Sequence, residues 1–304
     1  GVQVTEKDLT AVVPAVATTV GGFVGAFQWG PVEEVMTVDN EGTLVERFGK
    51  PNNDTYESFF TAANFLSYGN NLQVIRVVNG ASAKNAIANA SANAIIIKNE
   101  NHYLSTYEDS SASVGPFAAK FPGVIGNGLL VSMADGNVFG AWGYKDLFDN
   151  APNTSDYVEG LNGTDDELHL IIIDSNGTWT GTPGTVLEKH PYLSKASDAK
   201  NADGSSAYYK DVINNRSKFI WWMDHPDGMT NLGNAALNTA FTNLDDDVTV
   251  TLSKGVSADT PADANIIAGL SLFTNDEQYD LSLLPLGKAS QAVEDIVTLN
   301  PSTL

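Results

Sequence analysis

The sequence predicts an α/β (α+β) core domain, discontinuous in sequence, with an inserted β-rich outer domain. Three observations predict it. The first 80 residues read as strand, helix, strand; the text from about 81 to 213 turns β-like and turn-rich; and strand–helix alternation returns from Lys218. Alternating strands and helices imply a layered core, whereas short strands separated by Gly/Pro turns imply a β unit. A chain of 304 residues is also longer than one core usually serves. The expected division is an extended arm at 1–20, a body at 21–80 and 214–304, and an outer domain at 81–213.

In order along the chain, residues 1–20 read as extended: Val2, Val4, Val12, Val13, Val16 and Val20 are β-formers and Pro14 blocks a helix. Gly21 to Phe27 reads as a small-residue and aromatic strand, closed by a turn at Gly30-Pro31, and a polar edge segment follows. Thr43 to Phe48 predicts one or two helical turns stopped by Gly49. Asp54 and Glu57 have capping-box spacing, and Tyr56, Phe59, Phe60, Ala63 and Leu66 recur at helical period until Gly69. Leu72 to Val78 is too continuously apolar for a half-exposed strand, which predicts a buried, parallel one.

Residues 80–94 are rich in Ala, Asn and Ser. Beyond them, Ala94–Lys98, Leu129–Met133, Leu168–Ile173 and Thr185–Tyr192 read as strands, with turns at Pro122-Gly123, Asp135-Gly136, Asn176-Gly177 and Asp203-Gly204. Phe219–Met223 and Val248–Leu252 read as strands of the returning body. Pro261 suits a first helical turn before Ala262–Phe273, whose Ile266, Ile267, Leu270 and Phe273 share a face. Leu281–Leu286 reads as a strand and Ala289–Val297 as a helix. Gly1 is no natural start, and the stop at Leu304 follows directly on a helix, so a truncated chain is expected.

Charge excludes some partners. The formal net charge is −21, and the 16 Lys and Arg form no basic stripe in sequence. Nucleic-acid affinity rests on neutralised phosphates, so direct binding is not expected. No apolar run approaches the roughly 20 residues of a membrane span, and no charged-then-apolar leader opens the chain. The chain contains no cysteine, hence no disulfide or thiolate chemistry.

The partial chemical motifs are weak. Gly21-Gly22-Phe23-Val24-Gly25 fits neither dinucleotide nor P-loop spacing, and Gly287-Lys288-Ala289-Ser290 lacks the upstream glycine, so these glycines read as packing and turn positions. Asp174-Ser175-Asn176-Gly177-Thr178 resembles the start of a calcium loop, but Trp179 and Thr185 stand where glycine and a bidentate Glu are needed; a hairpin at Asn176-Gly177 is the better reading. His102, His169, His190 and His225 show no metal spacing. Asp224-His225-Pro226-Asp227 follows a buried strand, where α/β folds place ligands, and is the best acid–base candidate against a plain capped loop. Asp245-Asp246-Asp247 reads as a solvated loop. No catalytic, cofactor or metal site is predicted. Trp29, mostly core by default, is an alternative interface residue.

Gly25-Ala26-Phe27-Gln28-Trp29-Gly30-Pro31 resembles the N-terminal signature of contractile-tail sheath proteins of large tailed bacteriophages (myovirus-type). Leu44–Phe48, Gly49, Pro51, Asn64–Asn70 and Val74-Ile75-Arg76-Val77 follow in the family's order. So do Phe121-Pro122-Gly123 with Gly126-Asn127, Gly181–Glu188, Asp203-Gly204 to Asn214, and Ser217-Lys218-Phe219-Ile220. Leu252-Ser253-Lys254-Gly255 resembles the family's Leu-Ser-Gly-Gly turn with Lys254 departing from it, and Gly1-Val2 resembles the end of its Pro-Gly-Val opening. The likeness is weaker at 81–120 and 134–165, and the family's C-terminal domain has no counterpart.

The resemblance implies a non-enzymatic virion subunit, made in the host bacterial cytoplasm and placed in the phage tail. Its implied partners are other sheath subunits, the tail tube protein and the baseplate, with no cofactor. It implies that an arm (Val2, Val4, Val12, Val13), together with Trp29, meets neighbouring subunits, and that the trimmed chain stays monomeric. The competing reading is a tail-associated hydrolase or carbohydrate-active enzyme with its site near Asp224 and Asp227; another is a different tail or baseplate protein. A cleft holding both carboxylates separates the first from a sheath.

Overall fold

Phe23 and Val24, like Val74 and Ile75, point to opposite faces of one small sheet because side chains alternate along a strand. In the computed structural model, which describes residues 19–108, 113–274 and 279–299, this alternation builds the first layer. Strand β1 (Gly21–Gly25) runs parallel to the central strand, and β2 (Val35–Val38) is the antiparallel edge. Helices α1 (Glu41–Phe48) and α2 (Tyr56–Leu66) lie between β2 and the central strand, β3 (Leu72–Arg76). One face gathers Phe23, Leu72 and Val74 with Leu44, Phe48, Phe59 and Ala63 of the two helices. The parallel, doubly buried strand predicted at 72–78 is β3. The arm at 1–20, with Val2, Val4, Val12 and Val13, lies outside the described residues except for 19 and 20.

Local signals end these helices as expected, with one exception. Gly49 terminates α1 at φ +79, a left-handed conformation that glycine adopts without strain. The capping box expected at Asp54/Glu57 does not form: the N-cap of α2 is Thr55, without a side-chain cap hydrogen bond. Asn52 Oδ1 accepts from the Thr55 amide at 2.9 Å, and Thr55 Oγ1 accepts from the Asn52 amide at 3.1 Å. This reciprocal pair closes the turn that leads into the helix. The glycines of β1 are packing positions: a Cβ on Gly22 would stand 2.6 Å from Leu281.

The chain then leaves this layer. Helix α3 (Glu100–Thr106) precedes β4 (Phe117–Ala119) and the long β5 (Leu129–Asp135). After the one-turn α4 (Asp156–Glu159) come β6 (Glu167–Asp174) and β7 (Thr185–Ser194), then α5 (Tyr209–Arg216) and β8 (Ile220–Trp222), then β9 (Val248–Thr251). The four-stranded antiparallel sheet has the order β7-β6-β5-β9. One end of it carries Leu129, Asp174 and the 175–184 hairpin loop; the other carries Asp135, Leu168 and Val248. Seven residues of β5 separate the ends by about 20 Å. Residues 94–98, expected as a strand, are irregular; Ile97 N donates to the buried Asn85 side chain instead.

Two strands expected in the returning body lie elsewhere. As strands of one body, 72–78 and Phe219–Met223 should lie side by side or one strand apart, but β8 pairs antiparallel with β4, Ile220 opposite Ala119. A continuous apolar run announces burial on both faces and carries no information about its partner. β9 is the edge of the antiparallel sheet, and its Val-Thr-Val-Thr alternation places half-buried valines against exposed threonines. The chain regains the first layer only after about residue 259. Helix α6 (Asp263–Leu270) and α7 (Gln291–Leu299) then cover the second face of β1 and β3, where Leu270, Phe273 and Val293 meet Val24, Ile75 and Val77. The strand expected at 281–286 is one parallel bridge, Leu283 to Gly21. The architecture is mixed α/β with several sheets.

Candidate functional site

Arg76 is the last residue of β3, fully buried, at the seam between the first layer and the rest. Its Nε donates to Phe27 O at 2.8 Å, Nη1 to Gly30 O at 2.8 Å and Nη2 to Pro122 O at 2.8 Å. The counter-ion is Asp259, 3.8 Å away and itself buried. Burial pulls Arg76 down to about 10 against the pull of Asp259, and burial raises the Asp259 carboxyl. The guanidinium fork fits three diverging carbonyls, which a lysine does not.

Beside this seam lies a groove of about 860 Å³ between α1 and the 28–36 segment on one side and the 178–180 loop, Leu187 and residues 214–219 on the other. Its wall is aromatic: Trp29 meets Phe121 and Trp179 edge-on with centroids 5.3 and 4.8 Å apart, and Trp179 meets Phe219 at 5.0 Å. The Trp179 indole N–H is buried with no acceptor among the described residues. Lys120 lies at the floor, its Nζ 3.3 Å from the Trp221 ring centroid and 2.8 Å from Asn214 O. Burial pulls this ammonium down to about 7. Across the mouth, Lys218 bridges to Glu46 at 2.6 Å, both well exposed. Arg47, Lys50 and Arg216 also line the groove, are exposed, and have no hydrogen bond or salt bridge among the described residues.

The structure sorts the sequence candidates. Trp29 is 3% exposed and meets Phe121 and Trp179 within the chain, in the wall of the groove. Asp227 is exposed and Asp224 half-buried, and neither lines the groove. His225 Nδ1 faces the Tyr209 hydroxyl at 2.6 Å; burial raises the phenol and lowers the imidazole, so the hydroxyl donates. Asp174 Oδ2 accepts from the Trp179 and Thr180 amides, closing a hairpin loop rather than opening a cation site. His169 accepts from Tyr192 N at Nδ1, faces Asn150 O with Nε2, and stacks on Phe148, a satisfied core residue whose pKa burial lowers. Sequence reasoning missed the roles of Arg76, Lys120 and the buried Lys195–Asp135 pair at 2.8 Å. The available signal was a lone cation inside an apolar run, as in Val74-Ile75-Arg76-Val77 and Ala118-Ala119-Lys120-Phe121.

The groove is aromatic in its wall and carries exposed cations at its mouth, and the comparisons with known proteins bear on what it belongs to. Residues 18–77 match the family model described as Tail sheath protein Gp18 domain III N-terminal region. More particularly, the chain is 33% identical over 186 residues to the tail sheath protein of Salmonella phage ViI, covering 61% of this chain and 27% of that one. The tail sheath proteins of Vibrio phage KVP40 and Enterobacteria phage T4 are 41% and 40% identical over 86 residues, 28% of this chain and 13% of each relative. The chain thus spans about a quarter, or less, of the length of these curated relatives. The sheath tail protein Lin1278 from Listeria innocua aligns over 92% of this chain and 43% of its own with a TM-score of 0.47 and 12% identity.

Proposed function

We propose that the chain is part of a structural, non-enzymatic subunit of a contractile phage tail sheath. The subunit polymerises helically around the tail tube and contracts to drive the tube through the host envelope. The observation that carries this reading is the 186-residue alignment to a curated tail sheath protein, with the family match at 18–77 inside the first layer. Its partners in this reading are further sheath copies, the tube protein and the baseplate; its place is the virion, after assembly in the host cytoplasm. Subunits related by a rotation that does not close propagate as a helix, and strand addition by residues 1–20 would keep them joined while their bodies turn. The hydrolase reading has no supporting observation.

The domain division supporting this reading has a first-layer body at about 19–80 and 259–299 and an outer unit at 81–258. Arg76 and Asp259 then stand where the chain leaves and re-enters the body. The experiment is electron microscopy of the complete protein with and without the tube protein. Long tubular polymers that shorten on contraction are expected, and they should be absent when residues 1–20 are deleted. Only dispersed particles from the undeleted protein would overturn the sheath reading.

A further inference from the structure

The charges of this acidic chain are segregated between the two ends of the antiparallel sheet. Five of its 16 Lys and Arg line the groove: Arg47, Lys50, Lys120, Arg216 and Lys218. The carboxylates lining the groove are Glu46, Glu100 and Glu188, and Asp203 also feels the charge of Arg216. Glu46 is tied to Lys218, while Glu188 accepts from Lys218 N and pairs with His190. The Trp179 N–H, buried in the same wall without an acceptor among the described residues, adds a neutral donor. The groove therefore presents donors without enough acceptors, where the 175–184 loop ends the sheet.

The opposite end has the reverse character. Asp165 and Glu167 line a polar cavity of about 610 Å³ with Asn137 and Asn243. Asp245 and Asp246 stand exposed beside it, just after Leu244, whose amide donates to Asp135 at the end of β5. Burial, and the nearby Asp166 and Asp156, raise the Glu167 carboxyl, as expected where carboxylates crowd. The buried Lys195 there is already consumed by Asp135 and by the carbonyls of Asp165 and Thr242.

We propose that the cationic groove receives the acidic Asp245–Asp247 end of a second copy of this chain, joining subunits head to tail. The inference rests on the sheath reading and specifies one of its contacts. Complementary patches on different faces of one molecule make a heterologous contact, which propagates instead of closing into a two-fold dimer. Copies carrying −21 each repel at long range, so their approach needs local complementarity. The exposed cations at the mouth steer the acidic loop, and the aromatic wall excludes water around the contact.

The test uses the complete polymerising protein and two charge-reversed forms: Arg47→Glu/Lys50→Glu/Arg216→Glu at the groove, and Asp245→Lys/Asp246→Lys at the acidic end. Melting temperature reports that each folds, and sedimentation reports polymer. Each reversed form alone should lose polymer at least tenfold. An equimolar mixture should restore it, because a reversed groove now matches a reversed loop and the native groove matches the native loop. Polymer yield of the unaltered protein should fall as salt rises. Normal polymerisation of either reversed form overturns the proposal, as does a mixture of folded forms that fails to recover. Loss from groove reversal with none from loop reversal also overturns it, and points to a different acidic partner. An unaltered protein that never polymerises removes the sheath reading itself, which separates the two failures.

Discussion

Arg76 at the seam and the cations at the groove mouth stand on neighbouring segments, yet they dispose of their charge in opposite ways. Arg76 is buried and spends its guanidinium on three backbone carbonyls from residues 27, 30 and 122. Arg47, Lys50 and Arg216 are exposed and make no hydrogen bond or salt bridge among the described residues. Lys120 lies between these extremes, with one carbonyl, one indole face and a depressed pKa. The difference separates two uses of a positive charge. A saturated buried cation fixes where two layers meet, because any other arrangement strands carbonyls and a carboxylate. An unsatisfied surface cation adds little to the fold and is available to a partner.

The seam should show the largest effect. Replacing Arg76 by Leu leaves the Phe27, Gly30 and Pro122 carbonyls without their donor and Asp259 without a counter-ion. Removing one partner of a buried pair costs about 3–5 kcal/mol, and a loss of that order is expected by urea unfolding. Arg76→Lys should recover only part, since one ammonium on a flexible stem does not reach three diverging acceptors. An Arg76→Leu protein as stable as the parent would show that the seam is held by apolar packing alone.

Lys120 should show an intermediate effect, visible as pH dependence. Its pKa is about 7 in the folded chain against 10.5 for an ordinary lysine. Between these values the unfolded chain binds more protons, so folding stability rises with pH through the window. The contribution is complete above about 10.5 and is lost as pH falls toward 7. Lys120 keeps some contact with solvent at the groove floor, so the rise is on the order of 1 kcal/mol rather than the full shift. Lys120→Met should flatten it. Comparing the two proteins isolates this residue from Tyr107, Tyr208 and Tyr209, whose raised phenols titrate in the opposite sense. Parallel stability profiles from pH 7 to 10.5 would refute the assignment.

What was legible in the sequence follows the range of the interaction. The cap at Gly49, the strand at 72–76 with burial on both faces and the helix at 263–270 are all written within a few residues, and the structure has them, whereas the turn expected at Asn176-Gly177 is the start of the longer 175–184 loop between β6 and β7. The partners of Phe219–Met223 and Val248–Leu252 were not legible. A short apolar run specifies burial, while its pairing is decided by segments about a hundred residues away, such as Phe117–Ala119 and Leu129–Asp135. For this reason the sequence reading returns to the body at 214, whereas the proposed division returns to it at about 259. The groove failed to appear for a similar reason. Arg47, Lys50, Lys120, Arg216 and Lys218 are scattered in sequence, and only the fold gathers them. Arg76 stands inside an apolar run, but its three acceptors at 2.8 Å lie 46 to 49 residues away in either direction.

The groove mouth should show the smallest effect on stability, and that smallness sharpens the contrast with Arg76. Consider Arg47→Ser/Lys50→Ser/Arg216→Ser. None of the three side chains has a hydrogen bond or salt bridge to lose among the described residues, and all three are exposed. Surface substitutions away from caps and buried networks stay within about 0.5 kcal/mol of the parent. Arg47 and Arg216 also sit in the last turns of α1 and α5, where a cation is favourable against the helix dipole by about 0.3–1 kcal/mol at low salt. Together these terms predict a small loss at low ionic strength that vanishes in high salt, because screening removes the dipole contribution. Removing three positive charges takes the net charge from −21 to −24, which slightly increases self-repulsion and is screened in the same way. Chemical unfolding of the triple variant at low and high salt measures both contributions. A loss as large as that of Arg76→Leu, persisting in high salt, would mean these cations hold the seam, and the groove would cease to be a free surface.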